Sequence, residues 1–245
     1  MDFSKLCFGV DGDSITAGNQ WPYHVFNTLG FASLHNVAVG SAVWYKRTVK
    51  VNGRTISTQS YTDPDFAGIS DGWEPTEDEN ELQKRINNCA IIHIEKFIDE
   101  VKRGEYPPPD VFAFAMGTND DINHLGNADD PEPDLFAEAG AMRYCLQRLK
   151  EEFKGVKIFI LTPLKTANHE HNEKIKLQIK SIMTPIANAM GAQITDCFNG
   201  CGIFEENEIT GGEGEYLIDG LHPKSNGQLL QGDYVAKEIR NNLFF

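Results

Sequence analysis

The sequence predicts an α/β fold built on a mostly parallel sheet with helices over both faces. Two observations predict it. Short apolar, β-branched runs alternate along the chain with longer segments of helical pattern. Those runs are continuously apolar, as strands buried on both faces are, and do not alternate apolar with polar. The chain has 245 residues, enough for a sizeable core, and reads as one domain over 1–245 with an insertion at about 45–80.

Five strands are expected: LCFGV (6–10), LHNVAV (34–39), DVFAFAM (110–116), VKIFILT (156–162) and AQITDCF (192–198). Helical patterns fall at about 20–30, 81–103, 135–153, 169–190 and 226–242. Pro107, Pro108 and Pro109 end the second of these before the third strand, because proline cannot continue a helix. Residues 45–80 break the alternation. They are polar, rich in turn residues and long for a strand-to-helix connection. A flexible linker is one reading. Tyr61, Phe66 and Trp73 favour an insertion packed over one rim of the sheet.

Hydrophobic residues make up 40% of the chain, which is globular in composition. The net charge is −14, from 22 basic and 36 acidic residues. Such a surface repels nucleic acid and anionic membranes, and it serves solubility equally well. No segment reaches the ~20 apolar residues of a membrane span. The first strand begins by Leu6, leaving no room for a signal peptide, so the expected compartment is the cytoplasm, or the exterior with a leader removed. Five cysteines are too few and too odd in number for a disulfide framework. Cys197 and Cys201 are close enough to bridge, and two free thiols are an equal alternative. Metal-ligand spacing is absent, with no CxxC, no HExxH and no EF-hand loop.

Chemistry concentrates at strand ends. The stretch FGVDGDSITAGNQW (8–21) sets Ser14 just after the first strand, on the carboxyl rim where open parallel sheets bind ligands. A helix starting there would aim backbone N–H groups at it. A phosphate cradle would suit the place, but GxxxxGK[ST] and GxGxxG are both missing, as is the GxSxG elbow. A nucleophile or a helix cap remains. YLIDGLHPKSNGQ (216–228) sets Asp219 three residues before His222 in a turn stiffened by Pro223. A serine hydroxyl needs a base, and the base needs a carboxylate to hold its tautomer. The alternative is a surface Asp–His pair. FAFAMGTNDD (112–121) ends a strand at Asn119, whose amide could donate to an oxyanion, and NVAVGSA (36–42) ends another at Gly40, whose N–H could do the same. Taken singly, both are ordinary turn residues.

Together, in this order, GDSIT with Ser14, VGSA with Gly40, GTND with Asn119 and DGLHP with Asp219 and His222 resemble the SGNH/GDSL hydrolase family over essentially the whole chain. Ile15 stands where the family has leucine. The resemblance implies a three-layer α/β/α sandwich of flavodoxin-like kind, without metal or organic cofactor. It implies ester hydrolysis through an acyl-enzyme on Ser14, with His222 as base and Asp219 orienting it. The Ser14 N–H, the Gly40 N–H and the Asn119 amide would form the oxyanion hole, and Asp13 would brace the turn. Trp44 and Tyr45 follow the Gly40 turn and are candidates to wall the substrate pocket or stack a sugar, with core packing as the alternative.

His24 and His35 read as packed or surface histidines. His169 and His171 face apart on a helix and make a poor metal pair. NADDPEPD (127–134) reads as a solvated loop, with calcium binding as the alternative. The expected substrate is a small acyl ester, acetyl on a carbohydrate. Lysophospholipase or thioesterase activity is the enzymatic alternative. A non-catalytic binding protein on a hydrolase fold is the other, though such a copy should have lost one of Ser14, Asn119 and His222.

Overall fold

A computed structural model describes residues 2–51, 53–61, 79–130 and 133–243. Its centre is a parallel sheet of β1 (Cys7–Gly12), β2 (Ser33–Asn36), β5 (Val111–Ala115), β6 (Lys157–Leu161) and β7 (Gln193–Thr195), in the order β2-β1-β5-β6-β7. Between β2 and β5 lie β3 (Thr48–Val51), β4 (Arg54–Ser57) and the helices α3 (Glu79–Ile86) and α4 (Ala90–Lys102).

Adjacent strand residues point to opposite faces, and both faces of this sheet are covered. Phe112, Phe114, Ile158 and Ile160 pack with α4 and α5 (Glu138–Glu152) in one core. Phe8, Val10, Val111, Ala113, Phe159 and Leu161 pack on the other face. That second core is covered by α2 (Gln20–Leu29) and α9 (Ser225–Asn242), through Trp21, Val25, Val235 and Ile239. Helix, sheet and helix form the three expected layers. Truncating a buried phenylalanine of β5 would cost about 3–5 kcal/mol.

The register fixes the catalytic rim. Gly12 at the end of β1 lies opposite Ala115 of β5. A side chain at Gly12 would stand 2.4 Å from Thr16 Oγ1 and 2.7 Å from the Ala115 carbonyl oxygen, so this turn closes only with glycine. Beyond it sits the one-turn helix α1 (Ser14–Ala17), whose cap is Asp13 accepting from the Ile15 N–H at 3.0 Å.

Several elements depart from expectation. The helix expected over 81–103 breaks at Asn87–Cys89, between α3 and α4. There the Asn87 side chain accepts from Gln59 N, the Asn88 side chain donates to Gly40 O, and Ala90 N donates to Val43 O. Asparagine amides that bond elsewhere compete with helical backbone. The last strand is shorter than 192–198, because Asp196 caps a second short helix, α8 (Cys197–Gly200). Residues 169–190 are helical throughout, as α6 (His169–Gln178), a π-helical turn at Ile179–Met183 and α7 (Thr184–Met190). The wider turn precedes Pro185, which has no N–H to donate. In the insertion, β3 and β4 form a separate antiparallel hairpin, and the half-buried Tyr61 donates to Asp99 Oδ2 at 2.9 Å. Phe66 and Trp73 lie outside the described residues. Cys197 and Cys201 are buried free thiols. No helix among the described residues is long and apolar enough to cross a membrane.

Candidate active site

Ser14 and His222 are far apart in the sequence and meet at the carboxyl edge of the sheet. Ser14 Oγ lies 2.9 Å from His222 Nε2, and His222 Nδ1 lies 2.8 Å from Asp219 Oδ2. Because Asp13 caps the helix, the Ser14 hydroxyl is left for the imidazole. The other oxygen of Asp219 accepts from the backbone N–H of Leu221 at 2.9 Å and of His222 at 2.7 Å. Burial is the largest single influence on this carboxyl and opposes its ionisation. The His222 N–H, the His222 ring and the Leu221 N–H together outweigh it and hold the carboxyl at about 2. Asp219 is therefore an anion at any neutral pH.

The turn that carries this pair is held from several sides. Ile218 N donates to His222 O, Ala167 N to Gly220 O, and Gly211 N to Asp219 O. Gly220 has φ +81°, and a side chain there would stand 2.6 Å from the Ile209 carbonyl oxygen. Upstream, the Glu208 carboxylate accepts from Tyr216 N and Leu217 N, both at 2.9 Å. Downstream, Gln228 Nε2 donates to Ile15 O at 3.1 Å, and Gln228 Oε1 accepts from Trp21 N at 3.3 Å.

The Gly40 loop lies beside the Ser14 turn, since Val39 N donates to Gly12 O at 3.2 Å. Ser41 follows with φ +61°, a left-handed conformation costly for a residue with a side chain. The loop is gripped from two directions. Asn119 Nδ2 donates to Ala42 O at 3.1 Å, and Trp44 N to Asp120 Oδ1 at 2.9 Å. The Asn119 amide carries two N–H groups, and this bond uses one of them. Asp13 is buried, which raises its carboxyl to about 6 against the opposing pull of the Ile15 N–H, the Thr118 hydroxyl and His222.

Trp44 is not a pocket wall. Its ring is fully buried, 5.0 Å from that of Phe114, so the core-packing alternative holds and no face is offered to a ligand. Tyr45 differs. It is mostly buried but lines an open cavity of about 440 Å³ with Lys46, Arg47, Asp121, His124 and Phe136. Its ring stacks on His124 at 4.9 Å, and its hydroxyl oxygen accepts from Asp121 N at 3.2 Å. Among the other histidines, His24 pairs with Asp233 and His35 with Glu100, and His169 Nδ1 lies 3.1 Å from Glu205 Oε1. Among the described residues no group of three or more His, Cys, Asp and Glu is placed to hold a metal.

The sequence reading gave no part to Gln228, Glu208, Asn88, His93 or Asp11. Their signal is faint: polar side chains within or beside apolar patterns, whose partners lie far off in the chain.

A hydroxyl, imidazole and carboxylate in hydrogen-bonded series on the rim of a parallel α/β sheet define a serine hydrolase of the α/β/α sandwich class. A family model described as GDSL-like Lipase/Acylhydrolase matches residues 11–235, and the chain belongs to that family of ester-hydrolysing serine hydrolases. Comparison with curated proteins gives no match. Among solved structures the chain is similar to Est24, a carbohydrate acetylesterase from Sinorhizobium meliloti, at 14% identity and TM-score 0.56, covering 98% of this chain and 100% of that one. It is similar to an aryl esterase of M. smegmatis (12%, TM-score 0.56, 96% and 99% covered) and to a lipase/acylhydrolase from Enterococcus faecalis (15%, TM-score 0.54, 96% of each). At these identities the likeness is one of fold.

Proposed function

We propose that Ser14 is the nucleophile of a carboxylic ester hydrolase that removes small acyl groups, acetyl in particular, from a carbohydrate. The observation that carries this reading is the unbroken series Ser14 Oγ–His222 Nε2–His222 Nδ1–Asp219 Oδ2, at 2.9 and 2.8 Å. As Ser14 Oγ attacks the ester carbonyl carbon, His222 Nε2 takes its proton, and Asp219 stabilises the imidazolium. The carbonyl oxygen becomes an oxyanion, met by the N–H groups of Ser14 and Gly40 and by the second N–H of the Asn119 amide. Collapse breaks the carbon–oxygen bond to the alcohol, which leaves with the proton from His222. Water then attacks the acyl-Ser14 ester, His222 takes its proton, and the carboxylic acid departs as Ser14 recovers its hydrogen.

The Tyr45 cavity supports the sugar. Its volume of about 440 Å³ lies in the range of small-molecule sites. One of its lining residues, Asp121, follows Asn119 by two positions, so their Cα atoms lie at most about 7 Å apart. The exposed His124 and Phe136 rings offer apolar faces, with the buried Tyr45 ring stacked behind His124, and Lys46 and Asp121 offer polar groups to hydroxyls. The carbohydrate acetylesterase among the similar folds agrees with this reading. We read the chain as one hydrolase domain over 1–245 with an insertion at about 45–80, of which residues 45–49 line this cavity.

The test is a p-nitrophenyl ester series from acetate to decanoate together with a peracetylated sugar, run on the wild type and on Ser14→Ala. Turnover should fall steeply with acyl length, the sugar should release acetate, and the variant should lose activity by orders of magnitude. Equal rates for the two proteins would remove the reading. A preference for long chains would move it to the lysophospholipase alternative.

A further inference from the structure

A second chain of hydrogen bonds, outside the Ser14–His222–Asp219 series, ends on the Gly40 loop. Asn88 Nδ2 donates to Gly40 O at 2.7 Å, Asn88 Oδ1 lies 3.0 Å from His93 Nε2, and His93 Nδ1 lies 2.8 Å from Asp11 Oδ1. The same Asp11 oxygen accepts from Gly12 N at 2.8 Å. All three side chains are shut off from water: Asp11 is 0% exposed, His93 1% and Asn88 2%.

The chemistry of the partners fixes the protons. A carbonyl can only accept, so the nitrogen of the Asn88 amide faces Gly40, and its oxygen faces His93. His93 Nε2 must therefore carry a hydrogen. The second proton lies between His93 Nδ1 and Asp11, so the pair has no net charge, which suits its burial. From His93 Nε2 onward the donors run one way, through the Asn88 amide to the Gly40 carbonyl.

We propose that Asn88, held by His93 and Asp11, is a positioning residue that aims the Gly40 N–H at the reacting carbonyl. The proposal rests on the reading of Gly40 as an oxyanion donor. The bonds to Ala42, Val43 and Trp44 hold the loop beyond Ser41, which sits in the left-handed region. The Asn88 bond grips Gly40 itself. With Val39 N fixed on Gly12 O, it brackets the Gly40 N–H from both sides. A catalytic donor displaced by about 1 Å can cost 10²-fold in rate.

The experiment uses Asn88→Ala and the near-isosteric Asn88→Leu, which fills the same space and has no donor for Gly40. For p-nitrophenyl acetate, kcat should fall about 10- to 100-fold with KM nearly unchanged. Inhibition by phenylboronic acid, whose tetrahedral serine adduct carries an oxygen like the oxyanion, should weaken in parallel with kcat, while inhibition by acetate should not. Separately, ¹⁵N spectra of the wild type should show the His93 Nε2 hydrogen protected from exchange, and Asn88→Ala should lose that protection. A folded Asn88→Leu protein with wild-type kcat and boronate affinity would overturn the proposal and leave the esterase reading intact. So would a His93 Nε2 without its hydrogen. A wild type with no Ser14-dependent turnover would sink the esterase reading, and this proposal with it.

Discussion

Gln228 and Ile15 join the two halves of the site. The Gln228 amide donates to the Ile15 carbonyl at 3.1 Å, while its oxygen accepts from Trp21 N at 3.3 Å. One side chain on α9 thus holds the turn of Ser14 to the helix that follows His222. Gln228→Ala should leave both backbone groups buried without that partner, at about 1–3 kcal/mol of stability. Urea unfolding of the variant should show a lower midpoint at unchanged slope, and kcat should fall more than KM rises. A midpoint equal to the wild type would deny the strap.

Asp219 supplies no inflection in the pH profile of kcat/KM above about pH 4, since its hydrogen bonds hold it at about 2. Asp219→Asn should lower kcat by about 10²–10⁴-fold, because the amide can favour the wrong tautomer of His222. An inflection above about pH 4 that is lost in Asp219→Asn would contradict this assignment.

Asp13 gives a stability prediction of opposite sign to the usual carboxylate. Burial raises its carboxyl from 3.8 to about 6 in the folded protein, so folding favours the protonated form. Its contribution is fully present below about pH 4 and is lost as pH rises through about 6. An asparagine side chain in its place would still cap α1, without the buried charge. Asp13→Asn should be the more stable protein at pH 8, by up to about 3 kcal/mol, with the gap closing as pH falls toward 4. Thermal melts of both proteins across that range decide it, and a gap independent of pH would contradict the assignment.

Tyr45 separates leaving-group binding from chemistry. Tyr45→Ala should raise KM for an acetylated sugar several-fold while leaving kcat for p-nitrophenyl acetate within about 3-fold of wild type. Equal loss on both substrates would place Tyr45 in the support of the Asn119–Asp121 loop and not in a sugar site.

The sequence made the sheet legible because its strands are continuous apolar runs, and a run such as VFAFA has few other places to go than the middle of a parallel sheet. The rim residues were legible for the same reason: Ser14, Gly40 and Asn119 stand just after strands, where the fold leaves backbone and side chains open. The break at Asn87–Cys89 was not legible. Periodicity around it is helical, and only the distant Gly40 and Val43 carbonyls explain why the chain leaves the helix there. Cys197 likewise follows a strand pattern, and the capping of α8 by Asp196 overrides it. Trp44 could be read as pocket or core from its neighbours in sequence, and only its packing on Phe114 of β5 decides for the core.

Active-site titration with diisopropyl fluorophosphate, followed by peptide mapping, asks directly whether Ser14 is the nucleophile that His222 activates. One equivalent of phosphoryl group should be found on the Ser14 hydroxyl, with labelling much slower in His222→Ala. Modification of another serine, or equal labelling rates in the wild type and His222→Ala, would contradict that role.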